Sequence, residues 1–157
     1  MANQADRDQK SGLFIVNYNV FKSNQVGGYN LQLRLSVYPP ARRVTGEAII
    51  THATAQPLVF ENQVQGHYEE NGGNVELILQ GVRQHHAQDQ QGQQQQAHAH
   101  LREDFFFDGL LKGGWRAEHG SHGRYAFRLN GRWIEEIGQE IQQSEEQHNA
   151  HKALRLL

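Results

Sequence analysis

Residues 31–37 read Leu-Gln-Leu-Arg-Leu-Ser-Val, a strict alternation of apolar and polar side chains. Successive side chains of an extended strand point to opposite faces, so this stretch has one apolar face and one polar face. Gly27-Gly28 come before it and Pro39-Pro40 come after it, and both pairs are typical of turns. The stretch therefore predicts an antiparallel strand that buries one face in a core and leaves the other in water.

The same two-residue alternation recurs along most of the chain. Short turn signals, such as Asn71-Gly72-Gly73, join consecutive segments, so strands adjacent in sequence are expected to be neighbours in the sheet. Gly46, Gly66 and Gly81 lie inside predicted strands, where glycine indicates bulges or bends. The pattern predicts a mainly β fold, an antiparallel up-and-down barrel or flattened sandwich of about eight strands. These strands are expected at 13–21, 31–37, 43–52, 58–69, 75–83, 101–107, 110–118 and 124–129.

The carboxyl-terminal segment has a different period. Trp133, Ile134, Ile137 and Ile141 recur at helical spacing, with glutamates and glutamines between them. This spacing predicts one C-terminal α-helix over about residues 132–147. We expect the helix to cover a mouth or an outer face of the sheet.

Length and composition limit the classes of protein. A chain of 157 residues can bury one core, and we expect a single domain over residues 12–148, with a disordered polar tail at 1–11 and a second tail at 149–157. The net charge is −2 with both signs interspersed, so nucleic acid and membrane partners are not expected. The absence of cysteine excludes thiol chemistry. The polar amino terminus predicts a soluble, cytoplasmic protein.

Residues 84–100 form a low-complexity insertion of eight glutamines and four histidines, and their composition predicts a mobile loop. Glutamine tracts also associate through amide ladders. A sharper hypothesis is a metal site, because His98 and His100 share one face of a strand and His85 or His86 lies at the other root of the loop. Zinc, nickel or copper would suit such imidazoles, and a catalytic version would add a base such as Glu103.

Aromatic side chains are the other candidates for recognition. Trp115, Tyr125 and Trp133 are candidate ligand or interface residues, either around a cavity or as a rim that stacks on sugars. The alternative is that they are ordinary core and rim residues. Large inward side chains predict a largely filled interior: Leu33, Leu35, Phe60, Tyr68, Leu77, Trp115 and Phe127.

Several short motifs carry a family resemblance. They are Gly12-Leu13-Phe14, Leu31 to Val37, Val44-Thr45-Gly46 leading to Ile50-Thr51, Pro57-Leu58, Val64-Gln65-Gly66-His67-Tyr68 and Gly109-Leu110-Leu111, followed by Trp115, Tyr125 and Trp133. In this order they resemble an uncharacterised bacterial family of small β domains of unknown function. The resemblance implies a bacterial origin and no established activity.

Three functional hypotheses follow. The first is a non-enzymatic binding or protein-interaction domain, which can self-associate, for example as a homodimer. The second is a metal-binding protein or metalloenzyme that uses the four histidines of the insertion. The third is a lipocalin-like carrier with a cavity for a small apolar ligand between the sheet and the predicted helix. No motif defines a catalytic residue, so an enzyme is the less favoured class.

Overall fold

Eight antiparallel strands make up the protein, and they are connected in sequence order. The computed structural model describes residues 12–24, 27–54, 57–82 and 104–144. The strands are β1 (Phe14–Phe21), β2 (Tyr29–Tyr38), β3 (Arg43–His52), β4 (Leu58–Asn71), β5 (Asn74–Val82), β6 (Phe105–Leu111), β7 (His122–Leu129) and β8 (Arg132–Gln143). A short 3-10 turn, Pro39–Ala41, connects β2 to β3.

The sheet closes on itself. Each strand pairs with the next along the chain, and β8 returns to pair with β1, with Tyr18 opposite Gln143 and Phe21 opposite Glu140. The up-and-down barrel is therefore confirmed, and the flattened sandwich is excluded. Closure gives the first and last strands a partner each, which removes the exposed edges of an open sheet.

The barrel interior is filled with apolar side chains. Leu31, Leu33, Leu35 and Val37 of β2 all point inward and are buried, as their alternation predicts. Of the other large residues expected inside, Phe60 is only partly buried, and Tyr68, Leu77, Trp115 and Phe127 are at most 4% exposed. Burying this apolar surface is the main favourable contribution to folding.

The loop between β6 and β7 places Trp115 into the core. Its ring makes edge-to-face contacts with Phe14 and Tyr68, at centroid distances of 5.5 and 4.9 Å. The buried hydroxyl of Tyr18 donates a hydrogen bond to the Trp115 carbonyl oxygen. Gly113 and Gly114, at φ of 74° and 90°, take the left-handed conformations that turn the chain here.

The predicted C-terminal helix is wrong, because residues 132–143 form strand β8. Ile134 and Ile141 are seven residues apart, which is close to two helical turns, whereas in a regular strand such residues face opposite sides. A β-bulge changes this parity. Gly123 pairs with Gln139 and Tyr125 with Glu136, so Ile137 and Gly138 together lie opposite one residue, and both isoleucines face the core.

The boundaries predicted around β6 are also wrong. Asp108-Gly109, expected as a turn, lies inside β6, where Asp108 pairs with Ile78 on one side and Arg124 on the other. The strand expected at 110–118 continues only to Leu111. A loop follows instead, because Trp115 fills the core from a turn rather than from a strand.

Two of the interior glycines, Gly46 and Gly66, do not lie at the β-bulges of the sheet. The register shifts lie between Ile50 and Thr51 and opposite Ile137-Gly138. A Cβ added at Gly66 would stand 1.8 Å from the Ile78 carbonyl oxygen, and one added at Gly46 would stand 2.0 Å from that of Arg34. Glycine is therefore needed at both positions because a neighbouring strand approaches closely.

Three predicted segments lie outside the described residues. They are the amino-terminal tail at 1–11, the glutamine-histidine insertion at 84–100 and the carboxyl-terminal tail at 149–157. Their predicted roles, and the domain limits drawn from them, stay predictions.

Candidate functional site

The three aromatic residues expected to bind a ligand or partner lie in different parts of the barrel. Trp115 is 4% exposed and packs in the core, and Tyr125 is 1% exposed and packs against Phe105 and Phe127. Trp133 lies on the outer face of β8 and is 53% exposed. The structure does not bring them together into one site. A ligand or interface role for each of them stays a prediction.

The candidate metal ligands His85, His86, His98 and His100 lie outside the described residues. Within the described ranges, no group of three or more histidine, aspartate or glutamate side chains is placed to hold a metal ion. Binding of zinc, nickel or copper by the insertion therefore stays a prediction.

A groove on the outer surface of the barrel crosses strands β8, β1, β2 and β3. It is open to solvent and has a volume of about 390 Å³. Strand register explains which side chains meet there: Asn19 pairs with Gln142 on one side and Gln32 on the other, and Gln32 pairs with Ile49. The lining residues are Asn19, Phe21, Asn30, Leu31, Gln32, Ile49, Thr51 and Gln142.

The amide side chains of the groove have unused hydrogen-bonding capacity. Asn19, Asn30 and Gln32 are half-buried, and Gln142 is exposed at the edge. Within the part of the chain that the structure describes, none of these four amides makes a side-chain hydrogen bond to the protein. Each amide can donate two hydrogen bonds and accept others. We will call these four residues, together with Phe21, Ile49 and Thr51, the amide groove.

The lining of the amide groove is uncharged, and two charged residues beside it, Arg34 and Glu140, have partners. Arg34, one row further along β2, forms an ion pair with Glu47 at 3.5 Å. Glu140 accepts hydrogen bonds from the Ser23 hydroxyl at 2.5 Å and the Ser23 backbone N–H at 3.1 Å. These bonds lower the pKa of Glu140 below its ordinary value. A ligand in the groove would therefore meet neutral polar groups and apolar surface.

A second polar cluster lies at the inner face of β7 and β8. Tyr125 pairs with Glu136, and within the described residues the buried Tyr125 hydroxyl has no hydrogen-bond partner. Burial raises the pKa of Tyr125 above its ordinary value, and the nearby Glu136 and Tyr29 add to that rise. Burial also raises the pKa of Glu136, although Lys22 opposes the rise. The hydroxyl is enclosed, so this cluster affects stability more directly than recognition.

The sequence predicts an outward position for Gln32, but it does not predict that Gln32 lies beside Asn19 or that Asn19 lies beside Gln142. Gln32 is one of the polar residues of the alternating stretch at 31–37, and Asn19 and Phe21 lie in the strand expected at 13–21. The signal in the sequence for such a groove is an amide side chain at an outward position of each of two neighbouring strands. Gln142 cannot be added to it from the sequence, because the local spacing predicts a helix there.

The closed meander with a filled interior places this protein among the small up-and-down β-barrels. The chain belongs to the family described as Domain of unknown function (DUF1842), whose model matches residues 11–133. The match ends at the second residue of β8.

The family match confirms the resemblance to an uncharacterised family of small domains, and the bacterial origin stays a prediction. No curated protein matches the sequence. Among the residues that the structure describes, none forms a helix long and apolar enough to cross a membrane.

Proposed function

We propose that this protein is a non-enzymatic binding domain that holds a small neutral ligand in the amide groove. The observation that carries the proposal is the set of four amides whose hydrogen-bonding groups are turned to the groove without partners among the described residues. Ligand sites commonly combine apolar walls with a few such polar groups, in volumes of roughly 300–1,000 Å³. The groove, at about 390 Å³, falls within that range of volumes, and its lining combines five polar residues with the apolar Phe21, Leu31 and Ile49.

The lining residues favour binding over catalysis. Asparagine, glutamine, threonine, phenylalanine, leucine and isoleucine do not titrate near neutral pH. General acid–base catalysis needs a group that gives or takes a proton at the substrate. The lining residues of the groove provide hydrogen bonds and contact surface but no such group.

The carrier hypothesis needs a different ligand position from the one expected. It placed the ligand between the sheet and a C-terminal helix, whereas residues 132–143 are a strand of the barrel. The interior is occupied by buried side chains such as Phe105, Phe107 and Phe127. We therefore place a small-molecule ligand outside the barrel, in the amide groove.

The proposal is tested by NMR with isotopically labelled full-length protein. The probes are three neutral compounds, namely cellobiose, uridine and N-acetylalanine methylamide, each titrated to millimolar concentration. We expect at least one of them to shift the side-chain amide signals of Asn19, Asn30 and Gln32 in a saturable way. The matched control is Gln80, an exposed glutamine on β5 that lies outside the groove. If all three probes leave the groove signals unchanged, the proposal is wrong.

A further inference from the structure

The chemistry of the amide groove points to one class of ligand, and we propose that it binds a neutral carbohydrate. This inference rests on the proposed function and names the ligand class of the same site. Three properties of the described residues carry it: the amides, the lack of charge, and an aromatic side chain beside them.

Side-chain amides match sugar hydroxyls. A hydroxyl both donates and accepts hydrogen bonds, and so does an amide, whereas ammonium groups only donate and carboxylates only accept. Gln142, Asn19 and Gln32 lie side by side on β8, β1 and β2. Neighbouring strands are about 4.8 Å apart, so these amides form a row about 10 Å long. A row of that length can contact successive hydroxyls along one or two sugar rings.

The lack of charge argues against ionic ligands. A phosphate, carboxylate or ammonium group loses hydration when it enters a half-buried groove, and this loss is costly unless an opposite charge compensates it. No lining residue is charged, and the neighbouring Arg34 and Glu140 already have partners in Glu47 and Ser23. A neutral polyol does not need such compensation.

Phe21 supplies the apolar contact. It is half-buried on β1, two residues from Asn19, and therefore points to the same outer face. Sugar rings carry C–H groups on one face and hydroxyls at the edge, so an aromatic side chain next to amides can contact both parts. Ile49 and Thr51, on β3, add apolar contact and one further hydroxyl on the far side.

The test uses isothermal titration calorimetry and NMR with cellobiose, maltose and N,N′-diacetylchitobiose, compared with uridine, N-acetylalanine methylamide, glucose 6-phosphate and glucosamine. We expect millimolar binding of at least one of the three disaccharides, with shifts at Asn19, Gln32 and Phe21. Glucose 6-phosphate and glucosamine should bind at least about tenfold more weakly than that disaccharide. Their charged groups would lose hydration in the groove, and no lining residue supplies an opposite charge to compensate for that loss.

Two variants assign the binding to the groove. Phe21→Ala should weaken disaccharide binding about tenfold, because the loss of an aromatic contact is worth roughly that factor. Phe21→Leu retains apolar volume and should also weaken binding, which keeps the test valid if the alanine variant does not fold. The matched control is Phe106→Ala, since Phe106 is a half-buried outward residue of β6 outside the groove. It should leave binding unchanged.

The outcomes separate the two proposals. If uridine or the capped amino acid shifts the groove signals and none of the disaccharides does, the carbohydrate inference is overturned and the binding function stands. If no probe shifts the groove, both proposals fail. An equal loss of affinity in Phe21→Leu and Phe106→Ala would also overturn the inference, because binding would not depend on the groove.

Discussion

Two buried tyrosines in the barrel have hydroxyls in opposite situations. Tyr18 is fully buried, and its hydroxyl donates to the Trp115 carbonyl oxygen. Tyr125 is 1% exposed, and its hydroxyl has no hydrogen-bond partner within the described residues. The same chemical change, Tyr to Phe, should therefore have opposite effects on the free energy of unfolding at the two positions.

The magnitudes follow from the two environments. Removal of the Tyr18 hydroxyl takes the donor from a buried carbonyl oxygen, and a buried group left unsatisfied costs about 1–3 kcal/mol. We therefore expect Tyr18→Phe to lose about 1–3 kcal/mol of stability. Removal of the Tyr125 hydroxyl relieves a similar penalty and loses only the weak contacts of one oxygen atom. We expect Tyr125→Phe to gain about 1 kcal/mol.

Urea unfolding at neutral pH, followed by circular dichroism, measures both changes. Burial raises the pKa of each tyrosine above its ordinary value of 10.0, so both are protonated in the folded wild type under these conditions. The slope of the free energy against urea should be the same in both variants and the wild type, which shows that the surface exposed on unfolding is unchanged. If Tyr125→Phe loses as much stability as Tyr18→Phe, the reasoning is wrong.

Three further predictions concern single residues. Gly66→Ala should lose roughly 3 kcal/mol or more in urea unfolding, because the new Cβ would stand 1.8 Å from the Ile78 carbonyl oxygen and displace a strand; a loss below about 1 kcal/mol would contradict this. Glu136→Gln should stabilise the protein increasingly as pH rises above 4.5. Since burial raises the folded-state pKa of Glu136, the wild type loses stability as pH rises through that pKa; an equal effect of the variant at pH 4 and pH 7 would exclude this. Ser23→Ala should raise the pKa of Glu140 toward its ordinary value, measured from the side-chain carbonyl signal by NMR, and an unchanged pKa would show that the hydroxyl bond is unimportant.

Most of the strands could be predicted from local alternation. The stretch at 31–37 has its apolar residues inside and its polar residues outside, because that arrangement is the only one that buries every leucine of the stretch. The interior glycines are recognisable in the sequence, but the close approach of a neighbouring strand at Gly46 and Gly66 is not. Their function depends on the backbone of another strand, which no local pattern contains.

The candidate site could be predicted only in pieces. Asn19 and Gln32 are outward polar positions of two predicted strands, and the alternation of apolar and polar residues in the sequence is enough to predict this. Their position beside Gln142 depends on the register of β8 against β1, and β8 was expected to be a helix. Sequence reasoning drew attention to Trp115, Tyr125 and Trp133 instead, because aromatic residues are conspicuous and half-buried amides are not.

The sequence by itself determined that this protein is an antiparallel β domain with a filled apolar interior, since the two-residue period and the turn residues are local properties. Only the tertiary structure decided that the sheet closes, that residues 132–143 complete it, and that four amides line one groove. A spacing of seven residues, as between Ile134 and Ile141, fits both a helix and a bulged strand. The choice between them depends on hydrogen bonds to β1 and β7, which are made by residues distant in the chain.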